Sequence, residues 1–154
     1  MTDKEFSQRA MNCAQRLHRI SYLILGREAD CEDAVQEALL KAWTRLSTLR
    51  DEQYFETWLI RILINESRRI LRKRTAYPTE PLPLSLAAPE PPARALRDAV
   101  LALATKFRIP IILHHLEGYG LREIAVLLAI PESAVKFRLR RGRELIRLEL
   151  KEED

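Results

Sequence analysis

Positive charge is concentrated on one short segment near the C-terminal end of the chain. Between Pro131 and Arg147, only Glu132 and Glu144 offset a set of six cations: Lys136, Arg138, Arg140, Arg141, Arg143 and Arg147. Guanidinium and ammonium groups at this density are suited to pairing with phosphates, and arginine does so in a bidentate geometry. A solvated charged face is the common alternative, but the scarcity of compensating carboxylates favours a polyanionic partner.

A second cationic segment, between residues 54 and 74, also carries aromatic rings. Tyr54, Phe55 and Trp58 stand at its head, and the polar and basic positions that follow include Arg61, Asn65, Arg68 and Arg69. Aromatic faces beside guanidinium groups are what single-stranded nucleic acid requires for base stacking and phosphate pairing. The three rings could equally belong to a core, and at least one of them, Phe55 or Trp58, must pack inside.

Residues with catalytic or metal-binding potential are sparse. His114 and His115 are adjacent and so point to different faces of a helix, and only Glu117 lies within helical reach of His114, which is too few ligands for a metal site. There is no glycine-rich phosphate loop, and no serine has the setting of a nucleophile elbow. Cys13 and Cys31 lack CxxC spacing and are predicted to be reduced thiols. We therefore predict a non-enzymatic protein without a cofactor or a metal.

The C-terminal cations lie on the second half of a predicted helix-turn-helix. The first helix starts after Gly120, and its apolar residues share one face: Leu121, Ile124, Ala125 and Leu128. A tight break at 129–131 follows. The second helix carries its cations outside an inner apolar stripe of Val135, Leu139 and Ile146. A basic second helix of this kind enters the major groove of DNA.

Three helices are predicted in the N-terminal part of the chain. The first runs from about Phe6 to Gly26, the second starts near Asp30, and the third runs from residues 54–57 to about Arg74. The expected buried residues of the second helix are Val35, Ala38, Leu39, Ala42 and Leu46. Those of the third are Phe55, Leu59, Ile62, Leu63 and Ile70. The opposite face of the second helix is acidic and polar whereas that of the third is basic, so we expect them to serve different partners.

A proline-rich stretch separates the two helical parts. Residues 77–92 hold six of the eight prolines of the chain, which excludes a helix or a central strand. If this stretch is extended like polyproline II, it would span about 50 Å, which corresponds to about 15 base pairs of DNA. The predicted fold is all-α: two small helical domains at 1–76 and 93–150, the second a helix-turn-helix, joined by this linker and followed by an acidic tail at 151–154.

Length and composition agree with this organisation. With 154 residues, 47% of them hydrophobic, and a net charge of +4, the chain can bury the cores of two small domains. No apolar run approaches the length of a membrane span, and the sequence from Met1 to Glu5 lacks the features of a signal peptide. We therefore expect no membrane insertion and a cytoplasmic location.

Three motifs, taken together and in this order, resemble a known family. They are DCEDAVQEALLKAW, FETWLIRILIN and LEGYGLREIAVLLAIPESAVKFRLRRGREL, which begin at Asp30, Phe55 and Leu116. They resemble regions 2 and 4 of sigma factors of the sigma-70 superfamily, extracytoplasmic-function type, and the match extends over residues 9–148. The resemblance implies a transcription initiation factor that binds core RNA polymerase and directs it to promoters. It would read the minus-10 element as a melted strand and the minus-35 element as duplex.

The resemblance assigns a role to each candidate surface. Docking on the clamp helices of the polymerase β′ subunit falls to Asp33, Gln36, Glu37, Leu40, Lys41 and Trp43. The loop 50–56 would capture a flipped minus-10 base, and the residues assigned to that element are Tyr54, Phe55, Trp58, Arg61, Asn65, Arg68 and Arg69. In the minus-35 element, the candidate base contacts are Ser133, Lys136, Phe137 and Arg140, and the candidate phosphate contacts are Arg122, Arg138, Arg141 and Arg143.

The resemblance also implies further partners. The domain at 93–150 would bind the β flap of the polymerase in addition to promoter DNA. Members of this family are often held by an anti-sigma factor that covers the polymerase-binding and DNA-binding faces. Sequestration of this chain by such a partner is a hypothesis that rests on the resemblance alone.

Several residues depart from the family pattern. Gly120 stands at a helix N-cap where serine is usual, and Ala129 replaces the glycine common in the turn. Gly142 replaces an alanine within the second helix, at a cost of about 1 kcal/mol. Pro110 lies in a helical pattern from 106 to 116 and is predicted to occupy its first turn. Phe137 replaces a small polar residue, so the base preference at that position is not inherited.

Two other hypotheses remain open at the level of sequence. A conventional helix-turn-helix regulator would bind duplex promoter DNA by itself, usually as a symmetric dimer. A helical adaptor, whose basic faces meet acidic proteins, would show no dependence on DNA. A sigma factor would instead bind core polymerase and open a promoter only as part of that complex.

Overall fold

The computed structural model describes residues 1–76 and 91–152. The chain divides into two compact units, Met1–Glu80 and Pro81–Asp154, and the division falls within the predicted linker. Residues 77–90, which make up most of that linker, and residues 153–154 of the predicted acidic tail lie outside the described residues. All regular elements of the described residues are helical, so the all-α prediction is confirmed.

Residues 1–76, the described part of the first unit, form four helices and two short 3₁₀ turns. The helices are α1 (Asp3–Asn12), α2 (Ala14–Leu25), α3 (Glu28–Thr44) and α4 (Phe55–Ala76). The 3₁₀ turns, Leu46–Thr48 and Glu52–Tyr54, lie between α3 and α4.

The prediction of one continuous helix from about Phe6 to Gly26 was wrong, because the chain forms two helices there, α1 and α2. Cys13 has φ −107° and ψ 8°, which separates α1 from α2. Its Sγ lies 3.4 Å from the Arg9 carbonyl oxygen and 3.5 Å from that of Ala10, and a side chain that bonds to the preceding turn competes with the helical ladder. The apolar stripe continues across the break, which is why periodicity alone did not reveal it.

The core of the first unit forms where α2, α3 and α4 pack together. The inner face of α3 consists of small residues, Ala34, Ala38 and Ala42, all fully buried, whereas the predicted Val35 and Leu39 are half-buried. Small side chains let α3 approach the large apolar residues of its neighbours, which include Leu17, Ile20, Ile24, Leu59 and Leu63. The helix α3 also begins two residues before the predicted Asp30.

Both cysteines are buried in this unit as free thiols. Cys31 Sγ lies 2.7 Å from Ser21 Oγ and 3.3 Å from the His18 carbonyl oxygen, so the sulfur belongs to a small buried polar cluster. Burial raises the pKa of both the Cys13 and the Cys31 thiols. Both thiols therefore lie in the core of this unit and are not joined in a disulfide.

The C-terminal end of α4 is fixed to the corner between α2 and α3. Gly26 forms that corner in the left-handed conformation, with φ 73°. Arg74 donates from Nη1 to the Leu25 carbonyl oxygen (2.7 Å) and from Nε to Asp30 Oδ2 (2.9 Å). These bonds set the direction of α4, whose outer face carries the predicted minus-10 residues.

The second unit contains α5 (Pro91–Ala102), α6 (Thr105–Ile111), α7 (Leu121–Leu128) and α8 (Glu132–Glu152). The predicted bounds of this domain, 93 and 150, were each wrong by two residues: α5 already begins at Pro91, since proline is tolerated in the first turn of a helix, and α8 extends to Glu152. The helices α7 and α8 form the predicted helix-turn-helix. Ile124, Leu128, Val135 and Leu139 are buried as predicted, and Ile146 is half-buried.

Pro110 does not occupy a first helical turn, so that prediction was wrong. It is the sixth residue of α6, and it is buried. Because proline has no N–H group, it cannot donate to the carbonyl one turn earlier. The backbone widens directly afterwards into a π-helical segment, Ile112–Leu116, in which the Glu117 N–H donates to the Ile112 carbonyl oxygen five residues back (3.1 Å).

Gly142 lies where α8 packs against α6. A Cβ atom at this position would lie 2.9 Å from Ile111 Cγ1 and 3.2 Å from Ile111 Cδ1. The absence of a side chain therefore permits the close approach of the two helices, which offsets the helix-propensity cost that the sequence indicated.

Candidate nucleic-acid interface

Two capping arrangements mark the two ends of α7, the first helix of the helix-turn-helix. Gly120 is the N-cap of α7, and its N–H donates to Glu123 Oε1 (3.2 Å), so the predicted cap is confirmed. Ala129 closes α7 in the left-handed conformation, with φ 56° and ψ 47°. The Ile130 N–H then donates to the Ala125 carbonyl oxygen (3.0 Å), which completes the turn before α8.

The N-terminal half of α8 carries most of the predicted minus-35 residues on its exposed side. Ser133, Lys136, Phe137, Arg140 and Arg141 are exposed, and Arg138 and Arg143 are half-buried. Phe137 is 59% exposed, which is unusual for a phenylalanine. The exposed group therefore combines cations with one large apolar ring.

Two of the predicted phosphate contacts at this unit have neighbours within the protein. The Arg122 side chain projects from α7 and pairs weakly with Glu132 at 3.5 Å. Arg143 Nη1 lies 3.3 Å from His115 Nε2. Partial burial, together with the charges of His114 and Arg143, lowers the pKa of His115 from its ordinary value and so disfavours the charged form of this histidine.

The loop between α3 and α4 presents one aromatic ring and buries another. Asp51 Oδ1 accepts from the Gln53 N–H (3.0 Å) and so caps the 3₁₀ turn Glu52–Tyr54. Tyr54 is 57% exposed, but Phe55 is only 1% exposed and packs edge-on against Phe6, with ring centroids 5.6 Å apart. The direct DNA contact predicted for Phe55 is therefore corrected: this ring has no surface on which a base could stack.

The remaining minus-10 candidates follow along α4. Trp58 is half-buried and lies 6.1 Å from Phe55, centroid to centroid. Arg61 and Asn65 are exposed, and Arg68 and Arg69 are half-buried. The structure thus brings Tyr54, the partly exposed Trp58 and a row of polar and cationic groups onto the first unit's surface.

Glu66 is a functional-site neighbour that sequence reasoning missed. It is 4% exposed on the inner side of α4, where it accepts from Lys41 Nζ of α3 and from Arg69 Nε (3.0 Å). Burial alone would raise the pKa of Glu66, but the hydrogen bonds and charges of Lys41 and Arg69 outweigh it and hold the pKa below its ordinary value. The available signal was a carboxylate between Leu63 and Ile70 on an otherwise apolar stripe.

The outer face of α3 carries the predicted polymerase-binding residues. Asp33 and Gln36 are exposed, Glu37 is half-buried, and Leu40 and Trp43 are 57% and 41% exposed. Leu40 lines an open groove between α3 and α4, whose lining also includes Arg69, Ile70 and Lys73. Trp43 lies outside that lining and packs edge-on against Phe6, with ring centroids 5.2 Å apart. Lys41 differs from the others, because its ammonium group already binds Glu66.

Family models match both units in the order expected for one known family. The model described as Sigma-70 region 2 matches residues 10–77, and the model described as Sigma-70, region 4 matches residues 93–146. The chain belongs to the sigma-70 family. Together the two matches cover more than half of the chain. The first unit therefore corresponds to region 2, and the second unit, which carries the helix-turn-helix, corresponds to region 4.

Relatives place this sigma factor in the extracytoplasmic-function group. It is 27% identical to the ECF RNA polymerase sigma factor SigW of Bacillus subtilis, over 89% of this chain and 84% of SigW. It is 31% identical to the ECF RNA polymerase sigma factor SigM of Mycobacterium tuberculosis, over 84% of this chain and 68% of SigM. It is 30% identical to the RNA polymerase sigma-E factor of Streptomyces coelicolor, over 95% of this chain and 86% of that protein.

Solved structures share the fold. The sigma factor RpoE of Bartonella quintana, solved in complex with the anti-sigma factor NepR, superimposes with a TM-score of 0.83 at 22% identity, over 96% of this chain and 98% of RpoE. CnrH, solved in complex with the cytosolic domain of CnrY, gives a TM-score of 0.76 at 22% identity, over 99% of this chain and 92% of CnrH.

The chain is therefore a transcription initiation factor, and its family binds core RNA polymerase and promoter DNA. Sigma factors as a class are non-enzymatic. Among the described residues, no group of three or more His, Cys, Asp or Glu side chains is arranged to hold a metal ion. Within residues 1–76 and 91–152, no helix combines the length and the apolar character needed to cross a bilayer.

Proposed function

We propose that this sigma factor docks on the β′ clamp helices of core polymerase through the outer face of α3. Leu40 and Trp43 would be the apolar anchors, ringed by Asp33, Gln36 and Glu37, an arrangement typical of interface hot spots. Lys41 would contribute through its aliphatic stem, because its ammonium group is bound to Glu66. The second unit would bind the β flap.

The first unit would capture the melted minus-10 strand. Tyr54 would stack on a base extruded at the loop, with Trp58 beside it, while Arg61, Asn65, Arg68 and Arg69 would follow the strand along α4. Extraction of a base costs a few kcal/mol of stacking, which the ring and the cations must offset together. Phe55 would act as the packed support of the loop.

The second unit would read the duplex minus-35 element. Lys136 and Arg140 would donate to guanine O6 and N7, Ser133 would accept or donate at a base edge, and Phe137 would meet a thymine methyl group. Arg122, Arg138, Arg141 and Arg143 would bind phosphates and so set affinity and register.

We infer that an anti-sigma factor of the kind seen with RpoE also exists for this chain and competes with polymerase for the α3 face. We further infer that the chain works in the cytoplasm, where core polymerase is found. A small co-purified partner that is displaced by core polymerase would support the first inference. A chain that is constitutively active in cells would contradict it.

The observation that carries the proposed function is the presence of both sigma regions, in order, on two units that each expose the required cationic surface. Run-off transcription with core enzyme and a promoter library tests it. We expect transcripts only when both components are present, from promoters that share two sequence elements. Duplex binding by the chain alone as a dimer would instead support a conventional regulator, and indifference to DNA would support an adaptor.

A further inference from the structure

Arg9 contacts the loop that precedes α4, although it lies far from that loop in the sequence. It is a half-buried residue of α1, and its Nη2 donates to the Glu52 carbonyl oxygen at 2.5 Å. Its guanidinium carbon also lies 4.9 Å from the centroid of the Phe55 ring, in the geometry of a cation–π contact. No motif in the sequence marked Arg9 as a functional residue.

The two contacts of Arg9 fall at the two ends of one short turn. The 3₁₀ turn runs from Glu52 to Tyr54, and Phe55 follows it as the first residue of α4. Phe6, also on α1, packs edge-on against the same Phe55 ring. Tyr54 makes neither of these contacts and remains 57% exposed. The helix α1 therefore holds both ends of the turn and leaves the ring between them at the surface.

Such an anchor has a consequence for base capture. A loop that becomes ordered only when DNA arrives loses affinity through the entropy of ordering, whereas a loop that is already ordered does not. A guanidinium group suits this task because one planar group can donate to a carbonyl and stack on a ring at the same time. An aliphatic amine can replace the first contact but has no planar face for the second.

We propose that Arg9 is a positioning residue for minus-10 recognition: it preorganises the turn Glu52–Tyr54 so that Tyr54 can receive the extruded base. This inference rests on the proposed role of the loop in base capture. Arg9 itself binds protein groups on both sides, so its effect on DNA would be exerted through Tyr54.

The test uses holoenzyme reconstituted from core polymerase and full-length chain. The probes are single-stranded oligonucleotides that carry the minus-10 element of a promoter selected in the transcription library, either intact or abasic at the captured position. The wild-type holoenzyme should bind the intact strand more tightly than the abasic one. In Arg9→Ala, the ratio of the two affinities should fall by about fivefold, the scale of ordering one or two side chains. Arg9→Lys should give an intermediate ratio.

The matched control is Lys4→Ala, which removes one exposed cation from the same helix. Its ratio should equal that of the wild type, as should the affinities of all three variants for core polymerase. Because the ratio compares two strands on one preparation, a partly unfolded fraction of Arg9→Ala leaves it unchanged.

Three results would overturn the inference. Unchanged affinities of Arg9→Ala for both strands would show that the turn does not need its anchor. An equal loss of affinity for both strands would make Arg9 a direct phosphate contact or a purely structural residue. If the wild type itself failed to distinguish the strands at any minus-10 position, base capture by this loop would fail, and the role of Arg9 would fail with it.

Discussion

At the scale of single residues, Phe137 is the least expected side chain on the recognition helix. An exposed phenylalanine costs free energy in water, and it offers no hydrogen bond to a base edge. The apolar group that the major groove presents is the 5-methyl group of thymine. Phe137 therefore stands apart from its cationic neighbours, whose contacts depend on charge and on hydrogen bonds.

We expect the minus-35 thymine that faces Phe137 to be detectable by replacement with deoxyuridine, which lacks only the methyl group. Holoenzyme affinity should fall by about fourfold at that one position, the value of one buried methyl group. Phe137→Ala should abolish the preference for thymine over uracil. Arg141→Ala serves as the matched control, because loss of a phosphate contact should weaken both DNAs equally and reduce the salt dependence of binding. A thymine preference that persists in Phe137→Ala would contradict this assignment.

Glu66 shows how one buried carboxylate can stabilise the first unit. Replacement by Gln removes the charge that neutralises Lys41 and Arg69, so we expect a loss of about 1–2 kcal/mol in the free energy of unfolding near neutral pH, since both partners are partly exposed. Urea titration followed by tryptophan fluorescence measures this, because both tryptophans, Trp43 and Trp58, lie in this unit. Glu32→Gln, at an exposed position of α3, is the control.

For Glu66→Gln we also expect the loss of stability to depend on pH, with a sign that follows from the pKa of Glu66. The folded-state pKa of Glu66 is lowered, so the native state binds fewer protons than the unfolded state in the acidic range. Its contribution is therefore present above the unfolded-state pKa of about 4.3 and disappears as the pH falls through the folded-state value. The stability difference between wild type and Glu66→Gln should be largest near pH 7 and should shrink below about pH 4. A difference that grew towards acid would refute the role of the carboxylate.

Sequence reasoning at this scale assigned residues to surfaces by type and could not assign partners. Lys41 and Arg69 were both named as interface residues, yet each bonds to Glu66. Phe55 was named for DNA contact, yet it is core. These outcomes depend on which side chains meet across α3, α4 and α1, and a local pattern does not contain that information.

At the scale of elements, the turn between α7 and α8 stores a small amount of strain. Ala129 is a non-glycine residue with positive φ, which costs about 1–2 kcal/mol. Ala129→Gly should therefore stabilise the second unit by about 0.5–1 kcal/mol, after allowance for the greater entropy of glycine in the unfolded chain. Amide hydrogen exchange measures the change, in α7 and α8 for Ala129→Gly and in α3 for the control variant. Ala29→Gly, at an exposed helical position of α3, should have the opposite sign; a destabilised Ala129→Gly would contradict the strain argument.

At Gly142 we expect the cost of a steric clash to outweigh the gain in helix propensity from a substitution by alanine. Gly142→Ala gains about 1 kcal/mol of propensity but brings a methyl group into Ile111, and overpacking of this kind costs 1–3 kcal/mol. We expect net destabilisation of about 1 kcal/mol, read from the hydrogen exchange of α6 and α8. In an Ile111→Ala background the clash is relieved, so Gly142→Ala should become neutral or stabilising. Equal effects in both backgrounds would show that the two residues are not coupled.

The helices that the sequence predicted well are those whose ends are marked by local chemistry. The helix α7 begins and ends at the predicted residues, because Gly120 and the segment 129–131 mark its boundaries. The break at Cys13 and the π-helical segment after Pro110 were missed. The break and the π-helical segment change the path of the backbone but leave the apolar residues on one face. The spacing of hydrophobic residues therefore does not reveal them.

At the scale of the whole molecule, the number and kind of units followed from the sequence. Two apolar helical patterns separated by a run of prolines predicted two helical units, and the chain divides within that run. The partners could not be derived from charge alone, since a basic helix-turn-helix also occurs in regulators; the joint match of regions 2 and 4 decided the family. The acidic and polar face of α3 was the sequence feature that indicated a partner other than DNA.

The length of the segment between α4 and α5, residues 77–90, leads to a prediction for promoter architecture. If this segment is extended as its prolines predict and limits the distance between the two DNA-binding units, removal of six of its residues should reduce the span by about 19 Å, at about 3.1 Å per residue. Run-off transcription from promoters with varied spacers should then shift its preference towards shorter spacings. Replacement of the same residues by a Gly/Ser sequence of native length is the control and should broaden the preference. An unchanged optimum after deletion would show that polymerase alone sets the spacing.

The positions of the two cysteines make them reporters of local unfolding in the first unit. Both thiols lie in the first unit, shielded from solvent, and the rest of the chain contains none. Modification of these thiols, by alkylation with a maleimide or by exchange with a disulfide reagent, would therefore proceed only as fast as residues 1–76 open, while the unit that carries the helix-turn-helix has no thiol to react. Labelling rates with and without core polymerase would show how far assembly of the holoenzyme suppresses those openings.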